Sequence, residues 1–333
     1  MQNDNDYALI IGIEEYKEMA KLNGPVNDAK DFLEWACNET GGNIPEANCF
    51  LIQASKDPYK PLQDDIDTGL ETIIGDGSKG YRRLYFFFAG HGYGVAWDTN
   101  GLCLPGWTSL RRRNALSSKA YLDYVVESKF FTEVYFFLDC CRDRMINASA
   151  LTPSLGAILP AGQNVTSLVL FAADFSSKAY EDPELDPNTK VQGYFTKALL
   201  QGLRGAAADK NGNITADGLT DFTKRRTSEL AALRQKTQTV RPLFSGMGTM
   251  SQLIIKEGIN VEPTSVTITF ISEGLVNLIG RDLNVIWEKQ ISKDEISPIF
   301  TLDKGLYILE NTTTGNNITI KIDGTSKHKE YEF

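Results

Sequence analysis

Five short apolar runs recur in the first half of the chain, at residues 8–13, 49–52, 84–88, 134–138 and 168–173. Each is unbroken rather than alternating, and each is bounded by polar or glycine-containing sequence, the pattern of strands buried on both faces of a sheet. Between them, residues 28–35, 61–74 and 118–130 place apolar side chains at helical spacing. Strand and helix in alternation predict an α/β fold, a mostly parallel sheet with helices on both faces. Two further helices are predicted over 194–203 and 215–233, and one more short strand over 240–244. The stretch 176–192 is rich in Asp, Pro, Ser and Lys and reads as a long surface loop, of a length that is often functional or open to cleavage.

The pattern changes near residue 258. From Ser265 onward the chain alternates polar and apolar positions, is rich in Val, Ile, Thr and Tyr, and carries Gly or Asp at its turns. Strands are predicted over 266–271, 283–287, 299–302, 306–309 and 318–322, with no helical period. The expected organisation is an α/β domain over 1–258 and a small C-terminal all-β domain over 259–333. The second domain shows no catalytic grouping and is expected to bind a partner or regulator.

Composition adds mainly exclusions. With 42% apolar and 23% charged residues the chain has the make-up of a soluble globular protein. A net charge of −9 opposes nucleic-acid binding, which needs a positive footprint. No run approaches the roughly 20 apolar residues that span a bilayer, so no membrane association is expected. Residues 1–6, Met-Gln-Asn-Asp-Asn-Asp, lack a signal peptide's basic start and apolar core, which points to a cytoplasmic location. The five cysteines, Cys37, Cys49, Cys103, Cys140 and Cys141, are odd in number and spaced for neither a disulfide framework nor a metal site. Only two histidines exist, His91 and His328, so histidine-dependent chemistry has few candidates.

Two strand ends carry those candidates. The run 84–88 is followed by Ala89, Gly90, His91 and Gly92, and the run 134–138 by Asp139, Cys140 and Cys141. If both runs are parallel strands, His91 and Cys141 emerge at the carboxyl edge, where open α/β sheets build their sites. An ordinary thiol titrates near 8.5, so a thiol nucleophile needs a neighbouring base. His91 fits that part and would later protonate the departing amine. The backbone amides of Gly92 and Cys141 are the natural donors to a tetrahedral oxyanion. Taken singly, a histidine after a strand is usually a packing or loop residue, and a buried cysteine is usually inert. It is their occurrence together that points to catalysis.

At these residues the chain resembles the caspase/metacaspase superfamily. Caspases place their histidine about 50 residues upstream of the nucleophilic cysteine; here His91 and Cys141 are 50 apart. Asp139 stands two places before Cys141, as in the metacaspase motif, with Cys140 in the Ser or Ala position; Arg142 and Asp143 replace the small residues that usually follow. Residues 7–13 resemble the family's first strand, 22–29 its L-x-G-C-x-N-D-A segment with Pro25 for Cys, and 193–200 its G-x-F-T-x-x-L-L helix. The resemblance, covering roughly residues 5–255, implies a cysteine endopeptidase with Cys141 as nucleophile and His91 as base. It further implies, residue by residue, that Asp28 and Asp139 line a pocket for Arg or Lys at the cleavage site of a protein or peptide substrate. Two carboxylates in a recess can hold a guanidinium by charge-assisted bonds. Without that role, Asp28 would stabilise a helix N-terminus by about 0.3–1 kcal/mol and Asp139 would be a strand-end turn residue. Some prokaryotic members act in defence or cell death, which extends the expectation to biology.

No cofactor is expected. Residues 209–214 hint at a calcium loop, but an EF-hand needs Gly at position six and Glu at twelve, where this chain has Ile214 and Thr220. Calcium activation, known among metacaspases, is left open through other acidic loops. Arg111, Arg112 and Arg113 read as a solvated patch or as a self-cleavage site, with Lys178 and Lys190 as alternatives. Two other classes stand beside the peptidase: a catalytically silent caspase-fold scaffold, and a binding module led by the β domain.

Overall fold

The computed structural model describes residues 2–75, 81–145, 149–156, 164–182, 190–259, 263–280 and 282–333. The chain divides into two compact units, Met1–Arg204 with Ile214–Lys256, and Gly205–Asn213 with Glu257–Phe333.

The first unit is built on β1 (Asp6–Gly12), β2 (Cys49–Gln53), β3 (Arg83–Ala89), β4 (Glu133–Asp139), β5 (Thr166–Phe171) and β6 (Arg241–Ser245). They form one sheet in the order β6-β5-β4-β3-β1-β2, parallel throughout except for β6 at the edge. The chain steps outward from β1 to β2, then returns on the other side of β1 with β3. That reversal opens a crevice beyond the carboxyl ends of β1 and β3.

The helices are α1 (Pro25–Cys37), α2 (Gln63–Ile74), α3 (Ser118–Ser128), α4 (Tyr194–Gln201) and α5 (Ala216–Ala232). Their starts follow from local chemistry. Pro25 opens α1 with φ already set, while Ser117 accepts from Ala120 N–H and Thr215 from Gly218 N–H to cap α3 and α5. Successive strand residues point to opposite faces. Leu9, Ile11, Phe86, Phe88, Phe136 and Leu138 therefore pack with Ile66 and Leu70 of α2 and Tyr121 of α3. On the other face, Phe32 of α1 stacks on Phe87 at 4.6 Å between centroids, and Trp35 meets Tyr85 edge-on at 5.6 Å. Burial on both faces is why these strands read as continuous apolar runs.

The second unit contains two sheets around one core. Thr264–Thr269 pairs antiparallel with Phe300–Leu302 and parallel with His328–Glu332. Val285–Ile291, Gly274–Ile279, Gly305–Asn311 and Asn316–Ile322 follow each other in an antiparallel sheet. Val266, Ile268, Val276, Leu278, Leu309 and Ile320 fill the space between the sheets. Two of these strands were not expected from sequence. His328–Glu332 exposes most of its side chains and is held through its backbone, and Gly274–Ile279 is short, opening on a glycine with φ of 148°. The strand expected over 283–287 runs later, over Val285–Ile291. Of the expected surface loop 176–192, residues 183–189 lie outside the described residues.

The pairing of β3 with β4 is reinforced by aromatic partners: Phe86 on Phe136 at 4.4 Å and Tyr85 on Tyr135 at 5.1 Å between centroids, both nearly coplanar. Phe136→Ala removes one of these rings from a fully buried position. The expected cost in urea unfolding is about 3–5 kcal/mol; a loss below about 1 kcal/mol would show that the strand pair does not depend on the stack.

Candidate active site

In β3 and β4 the register partners run from Arg83 with Glu133 to Ala89 with Asp139. His91 and Cys141 each lie two residues beyond that last pair, so the separation of 50 seen in the sequence is the register of the two strands. Gly90 N–H continues the ladder by donating to Asp139 O at 3.1 Å. Both side chains line one small recess together with Leu22, Asp28, Asp139, Ala179 and Glu181.

His91 is fixed from three sides. Its backbone N–H donates to Tyr16 Oη at 2.8 Å, and the two rings lie 4.8 Å apart between centroids. Its Nε2 lies 2.8 Å from the Ala20 carbonyl oxygen. A carbonyl can only accept, so Nε2 carries the proton and Nδ1 is left as the basic nitrogen. Gly90 permits this arrangement, since a Cβ there would stand 2.5 Å from Tyr16 Oη. Burial lowers the imidazole's pKa below its ordinary value, against the smaller raising effects of Ala20 and Glu181.

Cys141 donates its thiol to Ala179 O at 3.4 Å. Burial raises the thiol's pKa, and the Ala179 contact opposes this only in part. Both shifts favour the uncharged forms, a neutral thiol at Cys141 and a neutral imidazole at His91. Gly92, the expected oxyanion donor, approaches the Cys140–Cys141 segment closely: a Cβ there would lie 2.6 Å from Cys140 Sγ and 3.0 Å from Cys141 O.

Arg142 does not form a pocket wall. Its side chain is fully buried, donating to Asn100 Oδ1 at 2.7 Å and Trp97 O at 2.6 Å, with its guanidinium 4.1 Å from the Phe171 ring centroid. Asn100 Nδ2 in turn reaches Cys140 Sγ at 3.3 Å. The two residues flanking Cys141, Cys140 and Arg142, are thus tied to the strand Thr99–Cys103 and the turn before it.

The acidic side of the recess joins distant parts of the chain. Asp28, in the first turn of α1, is 2% exposed and Asp139, at the end of β4, is 8% exposed. Gly193 sits between them: its N–H donates to both Asp28 oxygens at 3.1 and 3.2 Å, and a Cβ on it would collide with Asp139 Oδ2. Asp139 Oδ2 also accepts from Thr196 N at 3.1 Å and Thr196 Oγ1 at 2.6 Å. Glu181, unmarked in the sequence, accepts from the N–H groups of Asn23 and Gly24 at 3.1 and 2.9 Å, just ahead of α1. Burial is the main cause that holds Asp28 well above the usual carboxylate range, with Asp139 next; Asp139 itself is pushed up to about 6, again chiefly by burial. No Lys or Arg lines the recess among the described residues.

The Ala20 carbonyl, Tyr16, Glu181 and Gly193 were not marked as site residues from sequence. A backbone carbonyl has no side-chain signature, and Glu181 lies more than 150 positions from the amides it caps. Asp209, from the calcium-like stretch, accepts from the N–H groups of Asn211 and Asn213 in a tight turn. Among the described residues no group of three or more His, Cys, Asp or Glu is placed to hold a metal ion. Among the described residues no helix is long and apolar enough to cross a membrane.

A mostly parallel sheet that sets a thiol and an imidazole at adjacent carboxyl ends defines the class: a caspase-like fold of the cysteine peptidase superfamily. The caspase domain family model matches residues 5–249, and the chain belongs to that family, whose substrates are proteins. Among curated proteins none matches the chain. Of solved structures, caspase-1 from Spodoptera frugiperda is similar with a TM-score of 0.48 and 13% identity, over 78% of this chain and 92% of that one.

The two shifts have a measurable signature. The pH profile of Cys141 alkylation by iodoacetamide is expected to have its midpoint above the ordinary thiol value of about 8.5, and the His91 imidazole to titrate by NMR below about 6.5. A thiol midpoint near 7 would instead indicate a preformed thiolate–imidazolium pair.

Proposed function

We propose that the protein is an endopeptidase that cleaves after Arg or Lys through a Cys141–His91 dyad. The observation that carries the specificity is the recess itself, in which Asp28, Asp139 and Glu181 gather with no cationic side chain among the described lining residues. Buried carboxylates without a counter-charge are costly, and a substrate guanidinium or ammonium supplies that charge.

In this reading Cys141 Sγ attacks the carbonyl carbon after the basic residue while its proton passes to His91 Nδ1. The Ala20 carbonyl accepts from Nε2–H and steadies the imidazolium that forms. The backbone amides of Gly92 and Cys141 receive the oxyanion. His91 then protonates the departing amine, and water, deprotonated by the same imidazole, releases the acyl group from sulfur. The recess holds about 80 Å³, room for only a few waters, so an Arg side chain requires the segment bearing Ala179 and Glu181 to move outward. The thiol leaves the Ala179 carbonyl in the same movement.

A second reading, a caspase-fold scaffold without turnover, is favoured by that same thiol contact and by the tightness of the recess. The second unit is read as a partner-recognition or regulatory module: none of the five cysteines lies in it, and His328 pairs with the exposed Glu330. Self-cleavage is proposed at the exposed Arg111–Arg113 turn or at exposed Lys178; Lys190 is less available because it pairs with Asp31.

Peptides differing only in Arg, Lys, Asp or Ala before the cleaved bond separate these readings. Turnover is expected for Arg and Lys alone, with Asp139→Asn lowering kcat/KM for Arg at least about 30-fold, equivalent to about 2 kcal/mol. Absence of turnover on every basic peptide would favour the scaffold, and an unchanged Asp139→Asn would remove the pocket assignment.

The raised carboxyl groups set a pH dependence with a definite sign. Below about pH 6 Asp139 takes up a proton, and burial, which holds Asp28 well above the usual carboxylate range, favours protonation there in the same sense. The pocket then loses its charge, and kcat/KM for Arg peptides falls as pH drops through this range. Stability of the free protein runs the other way: raised pKa values favour the protonated fold, so stability is lost as pH rises through about 6. Thermal unfolding with and without an Arg-based ligand checks this. The lowered His91 imidazole acts in the opposite sense but is common to parent and variant, so the free protein is compared with Asp139→Asn. A parent protein that gains stability relative to that variant as pH rises from about 4 to about 6 would contradict the burial of an uncompensated acid there.

A further inference from the structure

Cys37 and Cys49 take no part in the site. Cys37 is the last residue of α1 and Cys49 the first of β2. Both are partly exposed, both are free, and their sulfur atoms lie 3.6 Å apart. The connection between them is tightly held. Gly42 N–H donates to Trp35 O, Ile44 N–H to Ala36 O, and Asn43 N–H to Asn38 O, at 2.8, 2.9 and 3.0 Å. Cys49 is anchored on its other side by the register of β2 with β1, opposite Ala8. The two thiols therefore meet because the backbone places them together.

We propose that Cys37 and Cys49 form a redox-active dithiol, a modification site that closes to an intramolecular disulfide when oxidised by a peroxide. A disulfide needs sulfurs about 2.05 Å apart, so the present contact closes by roughly 1.5 Å, within reach of side-chain rotation. Cys37 sulfur attacks one oxygen of hydrogen peroxide, the O–O bond breaks, and a sulfenic acid forms with release of one water. Cys49 sulfur then attacks that sulfenic sulfur, the S–S bond forms and a second water leaves. Two thiols and one peroxide give one disulfide and two waters. Burial, with Cys37 beside it, raises the pKa of the Cys49 thiol, which makes it the poorer first target of the oxidant; its contact with Cys37 Sγ, and not its acidity, is what places it to close the disulfide.

The bond would fasten the end of α1 to the edge strand β2. Asp28 lies nine positions earlier on the same helix, roughly 13 Å along its axis, so oxidation acts on the anchoring of α1 and leaves the nucleophile untouched. The proposal does not depend on the peptidase reading.

The test uses the full chain carrying Cys141→Ala, so that the nucleophile does not consume oxidant, treated with hydrogen peroxide at equal concentration. No Lys or Arg falls between positions 30 and 56, so a single tryptic peptide carries both cysteines, and the disulfide appears as loss of two hydrogens from that peptide. Its formation is expected to raise Tm by about 5–10 °C, reversed by dithiothreitol. With Cys49→Ser added, dimedone is expected to trap Cys37 as the sulfenic acid and the Tm rise to vanish. Should that variant fail to fold, the peptide mass from the Cys141→Ala protein decides alone. The proposal is overturned if both cysteines remain alkylatable after treatment, if they gain oxygen without linking, or if the cross-link joins other cysteines.

Discussion

The in-register parallel pairing of β3 with β4 is the constraint on which the rest of the site depends. Because Ala89 faces Asp139 across the ladder, residues at the same distance beyond each strand come out side by side. His91 and Cys141 owe their meeting to that register and not to any bond between them. A slip of one residue would turn the aromatic pairs out of contact and send every side chain to the other face. The stacks of Tyr85 on Tyr135 and Phe86 on Phe136 therefore stabilise the core and align the chemistry at once.

Electrostatics then set the resting state of the site. Burial acts on Cys141, His91, Asp28 and Asp139 in the same sense, favouring the uncharged form of each. Cys141 and His91 thus favour their uncharged forms, with Asp28, Asp139 and Glu181 beside them in the same recess. In the proposed function, a cationic side chain entering the recess would offset the cost of ionising Asp28 and Asp139, and the same entry would displace the Ala179 contact that occupies the thiol. Binding and activation are thus one event in the proposed function.

The sequence made the sheet legible because strands buried on both faces must be apolar at every position, and it made His91 and Cys141 legible because each follows such a run. Asp28 and Asp139 could be placed through the family resemblance, and the structure brings both to one recess. What escaped the sequence were groups acting through the backbone or across long separations: the Ala20 carbonyl behind the imidazole, Gly193 between the carboxylates, and Glu181 over the amides of Asn23 and Gly24. The hairpin of Gly92–Ala96 with Thr99–Cys103 escaped as well, since its glycines and polar residues give no strand pattern. It is nevertheless what anchors Arg142, a residue that looked like an anomaly beside Cys141.

The most direct test of the central claim is covalent trapping with an arginyl acyloxymethyl ketone, followed by peptide mapping of the labelled chain. The account predicts one adduct, on Cys141, absent with the aspartyl analogue and strongly slowed in His91→Ala. Labelling of Cys140 or Cys103 in its place, or equal labelling by the aspartyl reagent, would contradict it.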